Sequence, residues 1–310
     1  MTSRAATSMI ITLICLTGII LSTTATWAVD PAAQMKAAWQ EAEKALKKGP
    51  VEIPIAGQAT LKLPKGFGYI PVGQTQRLLT AMGNTSQPNI QGMLVTLGSG
   101  EEENWFMVIT YNDSGYISDE DAKDWNHDEL LESYRAGTEE GNSVRSQRGL
   151  PEWEVGGWVE KPSYDAQNRR LIWAISLRDK GVTSAEETSV NYNTLALGRE
   201  GYISMILVTG LNEVEAQKPA AKTLLSSLTF NPGRQYTDFD SSADKVAGYG
   251  LAALVTGVAA KKLGLIAMIA AFVAKFAKVI IVAALGFGAV ARRFFTGKKD
   301  DDNSLEVKHD

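Results

Sequence analysis

The sequence predicts an α+β fold, an antiparallel sheet with helices packed on it, followed by a C-terminal transmembrane helical segment. Three observations lead there. Short apolar runs separated by tight turns recur between residues 51 and 209, and strands joined in that way pair antiparallel. The helical stretches are too few to alternate with these strands one for one, which argues against a parallel α/β plan. Residues 246–291 are almost entirely Ala, Gly, Val, Leu, Ile, Met and Phe, well beyond the roughly 20 residues a helix needs to cross hydrocarbon.

Residues 1–28 have the form of a secretory signal peptide, with Arg4, an apolar stretch over 9–21 and small residues up to Ala28. Cleavage there removes Cys15, the single cysteine, and with it any disulfide, thiol nucleophile or cysteine-bound metal. Residues 29–50 are a helical leader with Met35, Ala38, Trp39, Ala42 and Leu46 at helical spacing, stopped by Gly49-Pro50 and expected to dock loosely.

The exported domain, 51–230, opens with a hairpin, 51–55 and 59–63, turning at Gly57. A strand over 68–72 and a short helix over 74–82 follow. Strands 92–97 and 104–111 flank an acidic turn containing Glu101, Glu102 and Glu103. Ser118 offers an N-cap to a helix over 119–137. Two hairpins come next, 153–161 with 169–178 and 188–197 with 201–209, before an amphipathic helix over 213–228. Polar residues 231–245 read as a linker, 246–293 as the membrane anchor and 294–310 as a polar cytoplasmic tail.

Charge is divided along the chain. Residues 31–245 carry 29 acidic and 21 basic side chains, whereas 246–299 carry eight basic and no acidic ones. An acidic body argues against nucleic acid as a partner, and a basic anchor suits a lipid bilayer with anionic headgroups. Within the anchor, Gly250, Gly257, Gly264, Ala271 and Lys278 recur every seven residues, with Lys261 and Lys275 in the same stripe. A heptad step drifts only about 20° around a helix, so these residues form a candidate helix-packing face for self-association or a partner helix.

The catalytic inventory is thin. His127 and His309 are the only histidines, and no nucleophile elbow, phosphate loop or dinucleotide fingerprint is present, so no cofactor is predicted. The stretch 110–121 echoes half of a calcium loop, with Asn112 and Ser114 as oxygen donors. Thr110 and Asp121 stand where such a loop needs Asp and Glu, so a turn before a capped helix is the preferred reading and no metal is predicted. Trp153 and Trp158 are candidate ligand-facing aromatics, since their parity puts them on opposite faces unless Gly156-Gly157 forms a bulge.

The segments GFGYIP (66–71), NWFMVITYNDSGYISDEDAKDW (104–125), NRRLIWAISL (168–177) and NYNTLALGREGY (191–202) resemble a bacterial family of exported, membrane-anchored proteins defined by a domain of unknown function. The resemblance spans about residues 50–293. More distantly, the strand series ending in a helix and SLTF (227–230) resembles the Mog1/PsbP-like α/β/α sandwich. Together with the positive-inside rule, applied to Arg292, Arg293, Lys298 and Lys299, this predicts a main domain in the periplasm or outside and a cytoplasmic C-terminus, at the bacterial cytoplasmic (inner) membrane; a hairpin turning at Lys275–Lys278 is the alternative and would put both ends outside. The function expected is a membrane-tethered, non-enzymatic interaction module. The alternative is a carboxylate-dependent envelope hydrolase, which needs two buried carboxylates facing each other roughly 5–10 Å apart.

Overall fold

Backbone pairing gathers the strands into one large sheet and one small one. The computed structural model describes residues 31–256, except 83, 85–87, 99–104, 148 and 150. In chain order the elements are α1 (Pro31–Ala45), β1 (Lys47–Lys48), β2 (Val51–Ile55), β3 (Ala59–Leu63), β4 (Phe67–Ile70), α2 (Val72–Ala81), β5 (Ile90–Thr96) and β6 (Phe106–Asn112). They continue with α3 (His127–Gln147), β7 (Trp153–Asp165), β8 (Arg170–Asp179), β9 (Ser189–Leu197), β10 (Tyr202–Gly210), α4 (Val214–Ser226), β11 (Leu228–Phe230) and α5 (Leu251–Thr256). The large sheet has the order β1-β4-β5-β6-β10-β9-β8-β7 and the small one β11-β3-β2, with every pairing antiparallel. The α+β expectation holds.

Alternation along the strands gives the large sheet two faces. On one face Ala174, Val190, Tyr192, Met205 and Leu207 pack against Ile53, Leu61 and Leu63 of the small sheet and Leu224 and Leu225 of α4. This closed face is apolar almost throughout. The other face carries α1 and α2 at one end, over Met93, Phe106, Val108 and Ile206. At its other end α3 and α5 lie over Leu171, Trp173, Leu195 and Leu197. So helices do stand on both sides of the sheet, but on the closed face a second sheet does much of the covering.

Several boundaries differ from the sequence reading. The leader is not loosely docked, because Met35, Ala38 and Ala42 are buried among the residues of α2 and β5. The helix expected over 119–137 begins later. Ser118 serves only a single turn at Glu120–Asp124, after which Trp125 is extended. Asn126 is the effective cap of α3, its Oδ1 accepting from the N–H of Asp128 at 3.1 Å, while its amide donates to Glu129.

The polar stretch 231–245 is no free linker. Tyr236 is buried and its hydroxyl donates to the Ile117 carbonyl at 2.8 Å, Arg199 grips Asp244 at 2.7 and 2.9 Å, and Phe239 stacks on Tyr116 with centroids 3.9 Å apart. The folded domain also extends past 246: Val246 bridges to Tyr116, and α5 buries Leu251, Leu254 and Val255. The folded domain therefore takes in the start of the apolar run, at least as far as Val255. No helix among the described residues is long and apolar enough to cross a membrane. The expected signal peptide with Cys15, Glu101–Glu103, the expected anchor positions Gly257, Lys261, Gly264, Ala271, Lys275 and Lys278, and the tail with His309 lie outside the described residues.

Candidate functional site: a polar diagonal across one sheet face

Register decides which side chains share the divided face. Asn193 stands between Trp173 of β8 and Ile206 of β10, and Asn191 between Ile175 and Val208. Ser204 pairs with Leu195 on one side and Thr110 on the other. Asn112 follows two residues after Thr110. The series Asn191, Asn193, Ser204, Thr110, Asn112 thus runs obliquely over β9, β10 and β6. On one side of it lie the apolar residues under α1 and α2, on the other those under α3 and α5.

Burying such a row requires partners, since an amide without a hydrogen bond in an apolar setting is costly. Part of the row has them. Asn89 donates to Asn112 Oδ1 at 2.9 Å, Asn112 donates to Thr110 Oγ1 at 3.3 Å, and Asn193 donates to the Asn191 carbonyl at 3.0 Å. Three atoms at or beside the row lack a partner among the described residues: Asn191 Oδ1, Asn89 Oδ1 and Trp173 Nε1. Asn191 is only 3% exposed and Trp173 5%. Two acceptors and one donor are therefore buried among neutral side chains without a partner among the described residues.

A second polar cluster sits where the hairpin β7–β8 meets the strap 231–245. Asp119 accepts from the Tyr164 hydroxyl at 2.7 Å and pairs with Arg169, whose guanidinium lies 4.7 Å from the Tyr236 ring centre. Burial alone would raise the Asp119 pKa, but hydrogen bonding from Tyr164 and the charge of Arg169 outweigh it and hold the carboxyl below its ordinary range. Arg169 adopts φ of 56°, a conformation non-glycine residues rarely take, so the hairpin turn is held at some cost against this anion. Every polar group named in this cluster is engaged, which makes it a fastening.

The residues singled out from sequence separate clearly. Trp153 is buried, with the Arg145 guanidinium 3.7 Å from its ring centre. Trp158 donates from Nε1 to the His127 carbonyl at 3.0 Å and meets Tyr134 edge-on. The bulge at Gly156-Gly157, where Gly157 has φ of 148°, resets the parity so that Trp158 packs with Val155 beneath α3. His127 Nε2 lies 3.1 Å from the Pro162 carbonyl, a local contact. Asp121, the last position of the calcium-like stretch, receives the N–H groups of Leu251 and Ala252 at 3.1 and 2.9 Å and caps α5 from 130 residues away in sequence. Gly250, the one described member of the anchor stripe, lies against that same carboxylate, 2.6 Å from where its Cβ would stand. Its smallness serves the domain at this point. Among the described residues, no group of three or more His, Cys, Asp or Glu side chains is placed to hold a metal.

Residues 47–286 match the family model described as a protein of unknown function (DUF2167). The chain belongs to that family. No curated protein matches it. Among solved structures it is similar to cyanobacterial PsbP (CyanoP) from Synechocystis sp. PCC 6803, at 12% identity over 60% of this chain and 93% of that one, with a TM-score of 0.34. It is also similar to PA94 of Pseudomonas aeruginosa, a protein of unknown function and putative regulator, at 13% identity over 59% and 97%, with a TM-score of 0.25.

The diagonal was missed in the sequence reading. Its residues occupy strands called correctly, and a signal was present: Asn191, Asn193 and Ser189 put three polar side chains at alternate positions of a strand whose other face is apolar. Such a pattern reads as a solvated face, and only the burial shows otherwise.

Proposed function

We propose that the chain is a non-enzymatic interaction module, tethered to a membrane by the apolar run over 257–291, with the domain outside the cytoplasmic membrane. The observation that carries the interaction reading is the buried neutral diagonal with Asn191 Oδ1 and Trp173 Nε1 unpartnered. Buried polar groups without a partner are uncommon in a core that serves stability alone, and this is what supports the interaction reading.

The hydrolase alternative needs a carboxyl held protonated near neutral pH to act as an acid. Among the described residues, wherever a carboxylate departs from its ordinary value, as at Asp119, Glu152, Glu154, Asp165, Asp240 and Asp244, the departure is downward. That favours binding over acid catalysis.

The tether is supported by the composition of residues 257–291 and by α5, which fastens the start of the apolar run to the domain through Asp121. Carbonate washing of membranes tests it. The full chain is expected in the pellet, and a chain stopped after Thr256 in the supernatant. Pelleting of both forms would move the tether elsewhere. A reporter fused at Asp310 is expected to be active in the cytoplasm; an exported reporter would refute the single crossing.

A further inference from the structure

We propose that residues 231–256, the strap together with α5, form a clasp that opens as one unit, ahead of the sheet, when acid protonates the carboxylates that fasten it. Four carboxylates hold it to the domain at successive points. Glu200, which also accepts from Gln58 at 2.9 Å, pairs with Arg234. Asp119 holds Arg169 against the ring of Tyr236. Asp244 accepts from Arg199 through both oxygens, at 2.7 and 2.9 Å. Asp121 receives the N–H groups of Leu251 and Ala252 and has Gly250 against it. The other titratable groups facing these sites among the described residues are Tyr164 and Tyr236 at Asp119, Tyr111 at Glu200, Asp240 at Asp244, and Asp238 near Arg199.

Apolar packing grips the clasp less firmly than the sheet. Of its 26 residues only Tyr236, Leu251, Leu254 and Val255 are buried, whereas every residue of β9 is. Its backbone joins the sheet region through two isolated bridges, Tyr116 with Val246 and Gly198 with Gln235, and not through a ladder. Ordering each residue costs conformational entropy, so a long segment with few buried side chains depends on its polar fastenings. The clasp also follows β11, the last strand, and can leave without undoing any strand pairing of the two sheets.

The sign of the pH effect follows from the fastenings. Hydrogen bonding from Arg199 holds the Asp244 carboxyl below its ordinary range. At Asp119, burial is outweighed by Tyr164 and Arg169, and that carboxyl is held low as well. Groups depressed in the folded state stabilise it above the unfolded value of about 3.9 and cease to do so as pH falls through the folded one. Acid thus removes the fastenings and leaves the apolar contacts of the sheet in place. Opening uncovers Ile117, Leu195 and Leu197 at the apolar end of the divided face. Where residues 257–291 tether the chain, it also lengthens the link between domain and membrane; that consequence rests on the tether reading, and the opening itself does not.

The experiment is hydrogen exchange of the full chain in detergent, read by mass spectrometry at steps from about pH 7 down to about pH 3 and corrected for the intrinsic rate. Peptides from 235–245 and from α5 are expected to lose protection together, by about tenfold or more, at a pH where β9 and β10 keep theirs. Asp244→Asn should raise exchange at pH 7 in both regions, including α5 beyond the substituted residue. Glu154→Gln, which removes a carboxylate paired with Arg178 outside the clasp, should leave the exchange of both unchanged. Loss of protection in the clasp only together with β9 and β10 overturns the proposal. So does opening of the strap with α5 still protected, or an equal response to the two variants. Should Asp244→Asn not fold, the pH series of the wild type decides.

Discussion

The two faces of the large sheet are made by the same strands, residue by alternate residue, yet they are built to different ends. On the closed face the side chains of β9 are Val190, Tyr192, Thr194 and Ala196, fitted beneath α4 and the small sheet. Tyr192 is fully buried, and its hydroxyl reaches Glu160 at 3.2 Å. On the divided face β9 presents Ser189, Asn191, Asn193, Leu195 and Leu197, a strand polar at one end and apolar at the other. The contrast teaches that stability and recognition are separated here by strand parity. Substitutions on the closed face should act through folding, whereas removing the unpartnered amide of Asn191 on the diagonal should barely touch it.

The largest effect expected is at Trp173, which belongs to the apolar half of the divided face. Trp173→Ala removes a buried indole and is expected to lower stability by about 3–5 kcal/mol in urea unfolding, the range for large-to-small core changes. Leu207→Ala on the closed face should cost about 2–5 kcal/mol. A near-zero effect at Trp173 beside a large one at Leu207 would mean that only the closed face holds the fold together.

Next comes the fastening of α5. Asp121→Ala deletes the oxygens that receive two helix N–H groups and should cost about 0.5–2 kcal/mol, with faster hydrogen exchange at Leu251 and Ala252. Gly250→Ala puts a methyl group against the same carboxylate, so it should destabilise the wild type and be milder when Asp121 is already Ala. Additive effects would show that the two residues do not meet.

The acid limb of stability offers a third test. The folded pKa of Asp119 is depressed, so its contribution is present above the unfolded value of about 3.9 and is lost as pH falls through the folded one. Asp119→Asn should therefore lower stability at pH 7 and flatten its decline below about pH 4. An unchanged acid slope would show that the Tyr164 and Arg169 contacts do not favour the carboxylate.

Strand periodicity made most of the sheet readable from sequence, including the three hairpins at Gly57, at 166–169 and at 198–201. What could not be read were the relations between segments far apart in the chain. Asp121 looked like part of a capped helix or a metal loop, because nothing local reveals that Leu251 will arrive beside it. The stretch 231–245 has linker composition, and its anchoring by Arg199 and Ile117 depends on a hairpin and a loop at least 32 residues upstream. Trp158 changed faces because a bulge adds one residue to the count, and parity arguments fail at the first such insertion. The diagonal needed both the register of β6, β9 and β10 and the burial of each member.

The smallest effect is the one that separates the two faces most sharply. Asn191→Leu replaces an amide by an apolar group of nearly the same shape and removes an oxygen that has no partner among the described residues. Removing an unpaired buried acceptor in that way is neutral or stabilising, because the desolvation penalty of the amide disappears with it. The expected change in stability is between zero and a gain of about 1 kcal/mol, within the range of one buried hydrogen-bonding group. Thr194→Val is the matched control on the closed face. It also replaces a buried polar group by an isostere, but the Thr194 hydroxyl donates to the Met205 carbonyl at 2.7 Å, so about 0.5–1.5 kcal/mol should be lost. Opposite signs for these two residues of one strand, three positions apart, would establish that polarity on the diagonal is kept against the interest of folding. A loss at Asn191 equal to that at Thr194 would show that its amide is satisfied internally, and the diagonal would then be part of the core.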